Sequence, residues 1–169
     1  MARIGIVYGS STGNTRDVCQ TLQELFGEGE ADLLDVREID EGAFDDYDAY
    51  VFATSTWGAG DLQDDWEDFF PRLDSVDFRG KRVAIMALGD QNNYPDHFVD
   101  CVSVLVDKVL ERGGMVVGET SPEGYSFQAS KAVQRGKFLG LVIDEDNQSD
   151  KTLERLRSWV DRLNKELFS

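Results

Sequence analysis

The sequence predicts an α/β fold in which one doubly wound parallel sheet carries helices on both faces. Short, almost wholly apolar runs recur along the chain, and such runs are typical of strands covered on both sides. Amphipathic stretches with helical spacing separate the runs, as the right-handed crossovers between parallel strands require. A length of 169 residues suits one domain, so we expect residues 1–169 to form a single folded unit.

Five segments are predicted to be strands of this sheet. The most apolar runs are the strongest candidates, at residues 4–8, 49–53 and 83–88. The weaker runs 33–36 and 115–117 are predicted to be outer strands. A polar segment rich in turn residues fills 120–138, and an apolar run then resumes as a strand at 138–143. We interpret the polar segment as an insertion within or beside the last strand, because its composition is not that of a linker between domains.

Four apolar stripes with helical spacing predict helices that pack on the sheet. Their members are Val18, Leu22, Leu25 and Phe26; Trp66, Phe69, Phe70 and Leu73; Phe98, Val102, Leu105 and Val109; and Leu153, Leu156, Val160, Leu163 and Leu167. Trp66 belongs to the second stripe, and Trp159 lies one position from the last, so both are predicted to be structural. Cys19 and Cys101 fall in helical patterns without metal-ligand spacing, and we interpret them as buried, reduced thiols.

The charge of the chain restricts its partners. Thirty-three Asp+Glu residues oppose 17 Lys+Arg residues, which gives a formal net charge of −16. Such a charge repels nucleic-acid phosphates and anionic membranes, and it attracts basic protein surfaces. The chain also lacks a signal-peptide pattern and any apolar stretch of membrane-spanning length. We therefore expect a cytoplasmic monomer that meets basic surfaces of other proteins, and neither nucleic acid nor membrane.

A loop of small and hydroxyl-bearing residues follows the first predicted strand and opens the first helix. Its candidate binding residues are Ser10, Ser11, Thr12, Gly13, Asn14 and Thr15. Backbone N–H groups at a helix N-terminus attract anions, and the hydroxyl groups add donors. No Lys or Arg stands between Arg3 and Arg16, and the fingerprints of triphosphate and dinucleotide sites are absent. The loop predicts a monophosphate held by neutral donors, or else a turn that merely caps the helix.

Two more loops, each with an aromatic residue, follow the next two apolar runs. The first contains Thr56, Trp57, Gly58 and Gly60, and the second contains Gly89, Asp90, Asn93 and Tyr94. Loops after parallel strands emerge at the carboxyl edge of the sheet, where α/β proteins bind ligands. Trp57 and Tyr94 would then flank the phosphate loop and form a stacking site for a flat ring.

This ordered set of loops resembles the flavodoxins, and the resemblance covers the whole chain. Residues 10–15 are similar to the family's T/S-x-T-G-x-T phosphate pattern, and the loops with Trp57 and Tyr94 resemble its two flavin-gripping loops. The segments 124–127 and 144–150 resemble those of the long-chain subgroup. The resemblance implies a five-stranded sheet in the order 2-1-3-4-5 with an insertion in the last strand.

The resemblance also implies a function. It implies non-covalently bound FMN and a low-potential one-electron carrier, not an enzyme, that passes through semiquinone and hydroquinone states. Residues 10–15 would hold the phosphate, and Trp57 and Tyr94 would sandwich the isoalloxazine ring. Asp90 would meet the pyrimidine edge, and Asp146 would reach the ribityl hydroxyls. The implied partners are a flavin reductase as electron donor and low-potential acceptor enzymes.

Two backbone positions in these loops have special roles in this interpretation. The turn after Trp57 is predicted to offer a carbonyl to a proton gained on reduction, and Gly58 would allow the necessary peptide flip. Asn93 stands where the family usually has glycine. Asparagine tolerates a left-handed backbone better than most residues, so the same turn is expected.

Acidic residues follow the first aromatic loop: Asp61, Asp64, Asp65, Glu67 and Asp68. They are predicted to oppose further negative charge on the ring, so that the second reduction has a low potential, and to steer basic partners. A simple solvated helix face is the alternative. His97, the single histidine, is interpreted as a surface residue, with modest tuning of the flavin potential as the other possibility.

Three rival functions suit the same fold class. A phospho-receiver domain would need acidic residues at the ends of the first and third strands, where this chain has Tyr8 and Thr54. An FMN-dependent quinone or disulfide reductase would need room for its substrate above the ring, which Trp57 and Tyr94 would cover. A flavin-free interaction module would fail to bind FMN at all.

Overall fold

The computed structural model describes residues 2–57 and 60–168. Within them the strands are β1 (Ile4–Tyr8), β2 (Ala31–Asp35), β3 (Ala49–Trp57), β4 (Asp61–Leu62), β5 (Arg82–Leu88), β6 (Met115–Val117), β7 (Val133–Gln134), β8 (Lys137–Phe138) and β9 (Leu141–Ile143). The helices are α1 (Asn14–Phe26), α2 (Asp64–Phe69), α3 (Cys101–Glu111) and α4 (Thr152–Glu166). Short 3₁₀ turns lie at Glu41–Asp45, Phe70–Ser75 and Ser149–Lys151.

The central sheet is parallel, and its strands lie in the order β2, β1, β3, β5. Ile4 of β1 aligns with Ala31 of β2 and with Ala49 of β3. β3 pairs with β5 as far as Ser55 and Leu88. Because these strands run in the same direction, the loops after β1, β3 and β5 converge on one edge of the sheet. The predicted doubly wound sheet and its strand order are confirmed.

Two separate strands fill the fifth position of the sheet. β6 pairs with the first half of β5, and β9 pairs with its second half. The chain between them leaves the sheet and contains the β7–β8 hairpin. The predicted insertion in the last strand is thus confirmed, but the predicted strand 138–143 is not continuous. A side-chain carbon on Gly140 would lie 2.0 Å from the carbonyl oxygen of Ile85, so the chain returns to the sheet through a glycine.

Apolar side chains cover both faces of the sheet. On one face, residues of α1 and α4, such as Leu22 and Leu163, pack with Ile6 of β1. On the other face, Trp66 of α2 and Leu105 of α3 belong to a second cluster. Trp66 and Trp159 are fully buried, so the prediction that both tryptophans are structural is confirmed.

Three of the predicted helical stripes need correction, and the second of the four continues beyond α2 into the 3₁₀ turn Phe70–Ser75. Phe98 is buried, but it precedes α3, because the chain turns at Val99 with a positive φ before the helix begins at Cys101. Leu153 is 44% exposed, because Thr152 takes the buried position in the first turn of α4. The stripe that faces the sheet in α4 therefore begins at Leu156.

Cys19 and Cys101 are buried and unbridged, as predicted. Burial raises the pKa of both thiols, to about 12 for Cys101, so neither forms a thiolate readily. In the part of the chain that the structure describes, no helix combines the length and apolar character that crossing a bilayer requires.

Candidate functional site

A cavity of about 220 Å³ lies at the edge of the sheet where β1, β3 and β5 end. It brings together predicted residues from all three loops and from the segment after β9: Thr12, Asn14, Thr56, Trp57, Gly89, Asp90, Tyr94 and Asp146. Ser55, Leu88 and Glu145 also line it and were missed from the sequence. Each of these three is the direct neighbour of a predicted residue, and that adjacency is the signal that could have found them.

The remaining predicted residues surround the cavity without lining it: Ser10, Ser11, Gly13, Thr15, Gly60 and Asn93. Thr15 is 1% exposed, so its side chain belongs to the interior of the fold. Gly60 has a φ of 89°, and a side-chain carbon there would lie 2.6 Å from Cβ of Asp100. Both features require glycine at the turn that carries the chain away from Trp57. Gly58, the predicted site of a peptide flip, lies outside the described residues.

The loop before α1 leaves the start of that helix open to a ligand. Gly13 has a φ of 92°, and its N–H donates to Oγ of Ser10 at 3.0 Å. No side chain within the described ranges caps the first turn of α1. The interpretation of the loop as a mere helix cap therefore does not fit. The N–H groups of this turn, together with the helix dipole, favour an anion.

Gln63 supports this loop with its buried side chain, and the sequence pattern did not indicate this role. Its side chain is fully buried, and its Nε2 donates to Oγ of Ser11 at 2.9 Å. Its Oε1 accepts from the backbone N–H groups of Asp65 and Trp66, which caps α2. The side-chain amide of Gln63 thus fixes the position of the loop 10–15 relative to α2. A polar residue directly before an acidic first turn was the available signal.

The two aromatic walls of the cavity are unusually open. Trp57 is 43% exposed and Tyr94 is 46% exposed, whereas the other tryptophans are buried. Nε1 of Trp57 donates to Oγ of Ser55 at 3.0 Å, which fixes the plane of the indole. The backbone N–H of Tyr94 donates to the carbonyl of Asp90 at 3.0 Å, which closes the turn that presents the phenol ring. Two flat side chains on one cavity suit a planar aromatic ligand.

Asp90 organises its own loop rather than offering free acceptor atoms. Its Oδ1 accepts from the backbone N–H groups of Asn92 and Asn93, both at 3.1 Å, and its Oδ2 accepts from Nδ2 of Asn93 at 2.6 Å. Nδ2 of Asn147 adds a further bond at 2.8 Å. Partial burial acts to raise the pKa of Asp90, but these hydrogen bonds outweigh it, so the pKa lies below its usual value.

Asn93 stabilises the turn before Tyr94 through an interaction that the sequence did not indicate. The non-glycine residues with positive φ in the described ranges are Val99 and Arg135, so Asn93 does not adopt the left-handed conformation we expected. Its value to the turn lies in its side-chain amide, which bonds to Asp90. The side chain of Asn93 therefore adds a contact to the loop.

A buried carboxylate ties the Tyr94 loop to the last strand. Asp144 follows β9, is fully buried, and accepts from the backbone N–H of Gln91 at 3.1 Å and from Nε2 of Gln91 at 2.6 Å. Oε1 of Gln91 in turn accepts from the N–H of Ser126 in the insertion at 2.6 Å. In the sequence, Asp144 stands out only as part of the segment 144–150. Its burial is a tertiary property.

The electrostatic surroundings of the cavity are negative. Burial raises the pKa of Asp146, and the charges of Asp90 and Asp144 raise it further, because three carboxylates lie within 4.8 Å of one another. Asp61 of β4 is paired directly with Trp57 in the antiparallel register of β3 and β4. Added negative charge next to these carboxylates is therefore disfavoured.

Comparisons with known proteins decide the family. The family model described as Flavodoxin matches residues 6–159. The chain belongs to the flavodoxin family. It is 44% identical over 164 residues to a flavodoxin of Nostoc sp., covering 97% of this chain and 96% of the relative. It is 42% identical over 171 residues to a flavodoxin of Haemophilus influenzae, covering 99% of this chain and 97% of the relative.

A solved structure agrees with these relatives. A flavodoxin of Fusobacterium nucleatum, described as bound to flavin mononucleotide, superposes with a TM-score of 0.91 at 28% identity and covers 99% of both chains. The resemblance and the fold predicted from the sequence are thus confirmed. Flavodoxins are electron-transfer proteins rather than enzymes, and that prediction is confirmed for this flavodoxin as well.

Proposed function

We propose that this flavodoxin binds FMN non-covalently in the cavity at the sheet edge and carries single electrons between redox proteins. The observation that carries the proposal is the pairing of two exposed aromatic walls, Trp57 and Tyr94, with the uncapped start of α1. One feature suits a flat ring and the other suits a phosphate. FMN combines both groups in one molecule.

The donor set of the cavity fits the phosphate of FMN. Thr12 and Asn14 line the cavity, and no lysine or arginine among the described residues does. Uncharged hydroxyl and amide groups, with the N–H groups of the first turn of α1, would hold the phosphate. Gln63 would keep Ser11 and the loop in place without touching the ligand.

The aromatic walls determine what can reach the ring. Bound FMN supplies a ring system that accepts and returns one or two electrons. Trp57 and Tyr94 would cover its two faces and exclude water, and Ser55 would hold the indole in position. With both faces covered, a quinone or nicotinamide has no surface on which to stack. The arrangement therefore favours an electron carrier over the alternative quinone or disulfide reductase.

The carboxylates around the cavity would set the energy of electron uptake. Asp61, Asp90 and Asp146 place negative charge at its rim or walls. Each further electron would have to enter against this charge, so the second one-electron potential would be strongly reducing. A change of about 59 mV in a one-electron potential corresponds to about 1.4 kcal/mol.

Reconstitution tests the proposal. The protein stripped of flavin is titrated with FMN and with riboflavin, and flavin fluorescence reports binding. We expect tight binding of FMN, weaker binding of riboflavin, and two separated one-electron potentials on anaerobic stepwise reduction. Failure to bind FMN, or uptake of both electrons at one potential, would refute the proposal. Rapid quinone reduction by NADPH alone would instead favour the reductase.

The partners and setting are proposed on charge and on the free thiols. The net charge of −16 and the acidic cavity rim suit basic surfaces of a flavin reductase as donor and of low-potential acceptor enzymes. The same charge favours a monomer by mutual repulsion. Free Cys19 and Cys101 suit the reducing cytoplasm. We also propose that residues 1–169 act as one domain.

A further inference from the structure

A second cavity, larger than the first, lies between the insertion and α4. Its volume is about 530 Å³, within the range of small-molecule sites. One wall is the segment 120–125 of the insertion, and the other is formed by residues 151–162 at the start and middle of α4. None of its lining residues belongs to the cavity proposed for FMN.

The floor of this groove is apolar. Leu141 of β9 and Trp159 of α4 line it, and both are buried. The ring of Tyr125 forms part of the wall and is fixed at its far end, where its hydroxyl donates to the carbonyl of Val142. Nε1 of Trp159 is likewise fixed by the carbonyl of Gly118 at 2.9 Å. The groove is therefore preformed: Leu141 and Trp159 form a closed floor, and the partly exposed ring of Tyr125 is the apolar surface held in place for a ligand.

Two cations of the groove have no carboxylate partner among the residues that the structure describes. Arg155 stacks on Tyr125, with its guanidinium carbon 4.0 Å from the ring centroid, and bonds through Nη2 to Oε1 of Gln148. Its Nη1 has no hydrogen-bond partner among the described residues. Lys151, one turn earlier, forms no ion pair with a described residue and is exposed. Both lie at the positive end of the α4 dipole, where cations are disfavoured unless an anion is present.

The groove lies in the part of this acidic chain that has almost no net charge. Residues 119–169 contain eight Lys+Arg and nine Asp+Glu, so nearly all of the net charge of −16 resides in residues 1–118. Arg162 also lines the groove and is paired with Glu166 at 3.3 Å. Glu123 and Glu154 line the groove too. Because Glu166 pairs with Arg162, Lys151 and Arg155 are the cations left for a ligand, and a monoanion adds the least negative charge beside the two glutamates.

From these observations we propose that the groove between the insertion and α4 binds a small organic monocarboxylate with a flat apolar body. The carboxylate lies between Lys151 and Arg155, and the apolar body lies on Leu141, Tyr125 and Trp159. This site is separate from the electron-transfer site and does not depend on FMN.

The experiment uses the FMN-saturated protein, so that the flavin cavity is filled, and 2-naphthoate as the probe. Binding is followed in ¹H–¹⁵N NMR spectra by the indole N–H of Trp159 and the backbone amides of 121–125. We expect these signals to shift on saturation, while the flavin absorbance stays unchanged. The neutral 2-naphthamide, which has the same shape, should bind about tenfold more weakly, because it cannot use the two cations.

Matched variants assign the effect to the two cations. The double variant Lys151→Gln/Arg155→Gln should weaken 2-naphthoate binding by about tenfold or more. Arg157→Gln removes an exposed cation of the same helix that does not line the groove, and it should leave binding within about twofold. If the double variant does not fold, Lys151→Gln alone is used, because the Lys151 side chain makes no described hydrogen bond or ion pair, and it should still weaken binding about threefold.

Three results would overturn the proposal. One is that the Trp159 and 121–125 signals stay unmoved at about 10 mM probe, a concentration that would reveal even weak binding. The second is that 2-naphthamide binds as tightly as 2-naphthoate. The third is that Arg157→Gln weakens binding as much as the changes at Lys151 and Arg155 do.

Discussion

Asp144 binds Gln91 twice: its Oδ2 accepts both the backbone N–H and the side-chain Nε2–H of that residue. The carboxylate is fully buried and also accepts from the backbone N–H of Asn147 at 3.0 Å. It joins the end of β9 to the loop that presents Tyr94. A residue that touches neither aromatic wall thus helps to determine the shape of the cavity.

Replacement of Asp144 by Asn should therefore destabilise the protein. Hydrogen bonds to a charged group contribute about 1.5–3 kcal/mol each, and an amide in either orientation would direct its NH2 group at donors, those of Gln91 or those of Asn147. We expect a loss of about 2 kcal/mol in the free energy of unfolding, measured by urea denaturation of the flavin-free protein. Asp150→Asn, an exposed residue without a described contact, is the control. Equal stability of both variants would contradict this role.

Ser55→Ala should weaken FMN binding by leaving the indole of Trp57 unanchored. The lost hydrogen bond corresponds to about 0.5–1.5 kcal/mol, so the dissociation constant should rise about two- to tenfold. Fluorescence titration of the flavin-free protein with FMN measures the change. Ser75→Ala removes an exposed hydroxyl that bonds to the carbonyl of Arg72, and it should leave the affinity unchanged. An unaltered affinity in Ser55→Ala would show that the bond does not matter for binding.

Gln63→Leu should reduce the affinity for FMN more than the affinity for riboflavin. Gln63 holds Ser11 of the phosphate loop, and riboflavin has no phosphate. We expect about a tenfold loss for FMN and less than about twofold for riboflavin, since one bond to the loop is lost. Gln128→Leu, at an exposed position, provides the comparison. Equal losses for the two flavins would mean that the effect is general destabilisation.

Asp61→Asn should raise the second one-electron reduction potential. Asp61 is paired with Trp57 across β3 and β4, so its charge lies beside the cavity. We expect a rise of some tens of millivolts at most, because Asp61 is exposed and solvent screens its charge, and a smaller rise in high salt. Glu28→Gln, just after α1, is the control and should have little effect. A second one-electron potential that is unchanged in Asp61→Asn would contradict the electrostatic account.

Asp90 and Asp146 should give opposite pH effects on the stability of the flavin-free protein. The pKa of Asp90 is lowered on folding, so its ionised form stabilises the fold above the unfolded pKa of about 3.9, and this is lost as the pH falls. The pKa of Asp146 is raised, so its ionised form opposes folding at neutral pH. Urea midpoints at pH 7 should fall in Asp90→Asn and rise in Asp146→Asn.

The Asp90 difference should shrink as the pH falls below the unfolded pKa of about 3.9, toward the lower folded pKa of Asp90. The Asp146 difference should shrink at higher pH, as the pH falls from the raised folded pKa of Asp146 toward about 3.9. Asp150→Asn should follow the wild-type curve throughout. A fall in the pH 7 midpoint of Asp146→Asn would show that its charge is not unfavourable in the folded protein.

Much of the fold was predictable because the apolar pattern of each segment matches the place of that segment in the folded sheet. The apolar runs at 4–8 and 83–88 became β1 and β5, since strands buried on both faces carry that pattern wherever they occur. The loop 10–15 and the two aromatics were found for a similar reason. Parallel strands send their loops to one edge, so residues distant in sequence could be placed together without coordinates.

The sequence-based predictions were wrong where a contact with another residue or strand determined the local structure. Residues 138–143 have strand composition throughout, but β8 pairs in its own hairpin and β9 pairs with β5, so the run is divided. Asn93 was expected to serve the turn by its backbone, but its amide bonds to Asp90 instead. In both cases the deciding contact is absent from the local pattern.

The sequence by itself determined the fold class, the edge of the sheet that carries the site, and the aromatic and hydroxyl residues that face a ligand. Periodicity and strand order suffice for these, because they follow from burial and chain direction. Only the tertiary structure decided that Gln63 and Asp144 are buried supports and that Lys151 and Arg155 line a second cavity without a carboxylate partner among the described residues. Burial and pairing depend on which side chains from other parts of the sequence pack next to a residue. No single segment of the sequence contains that information.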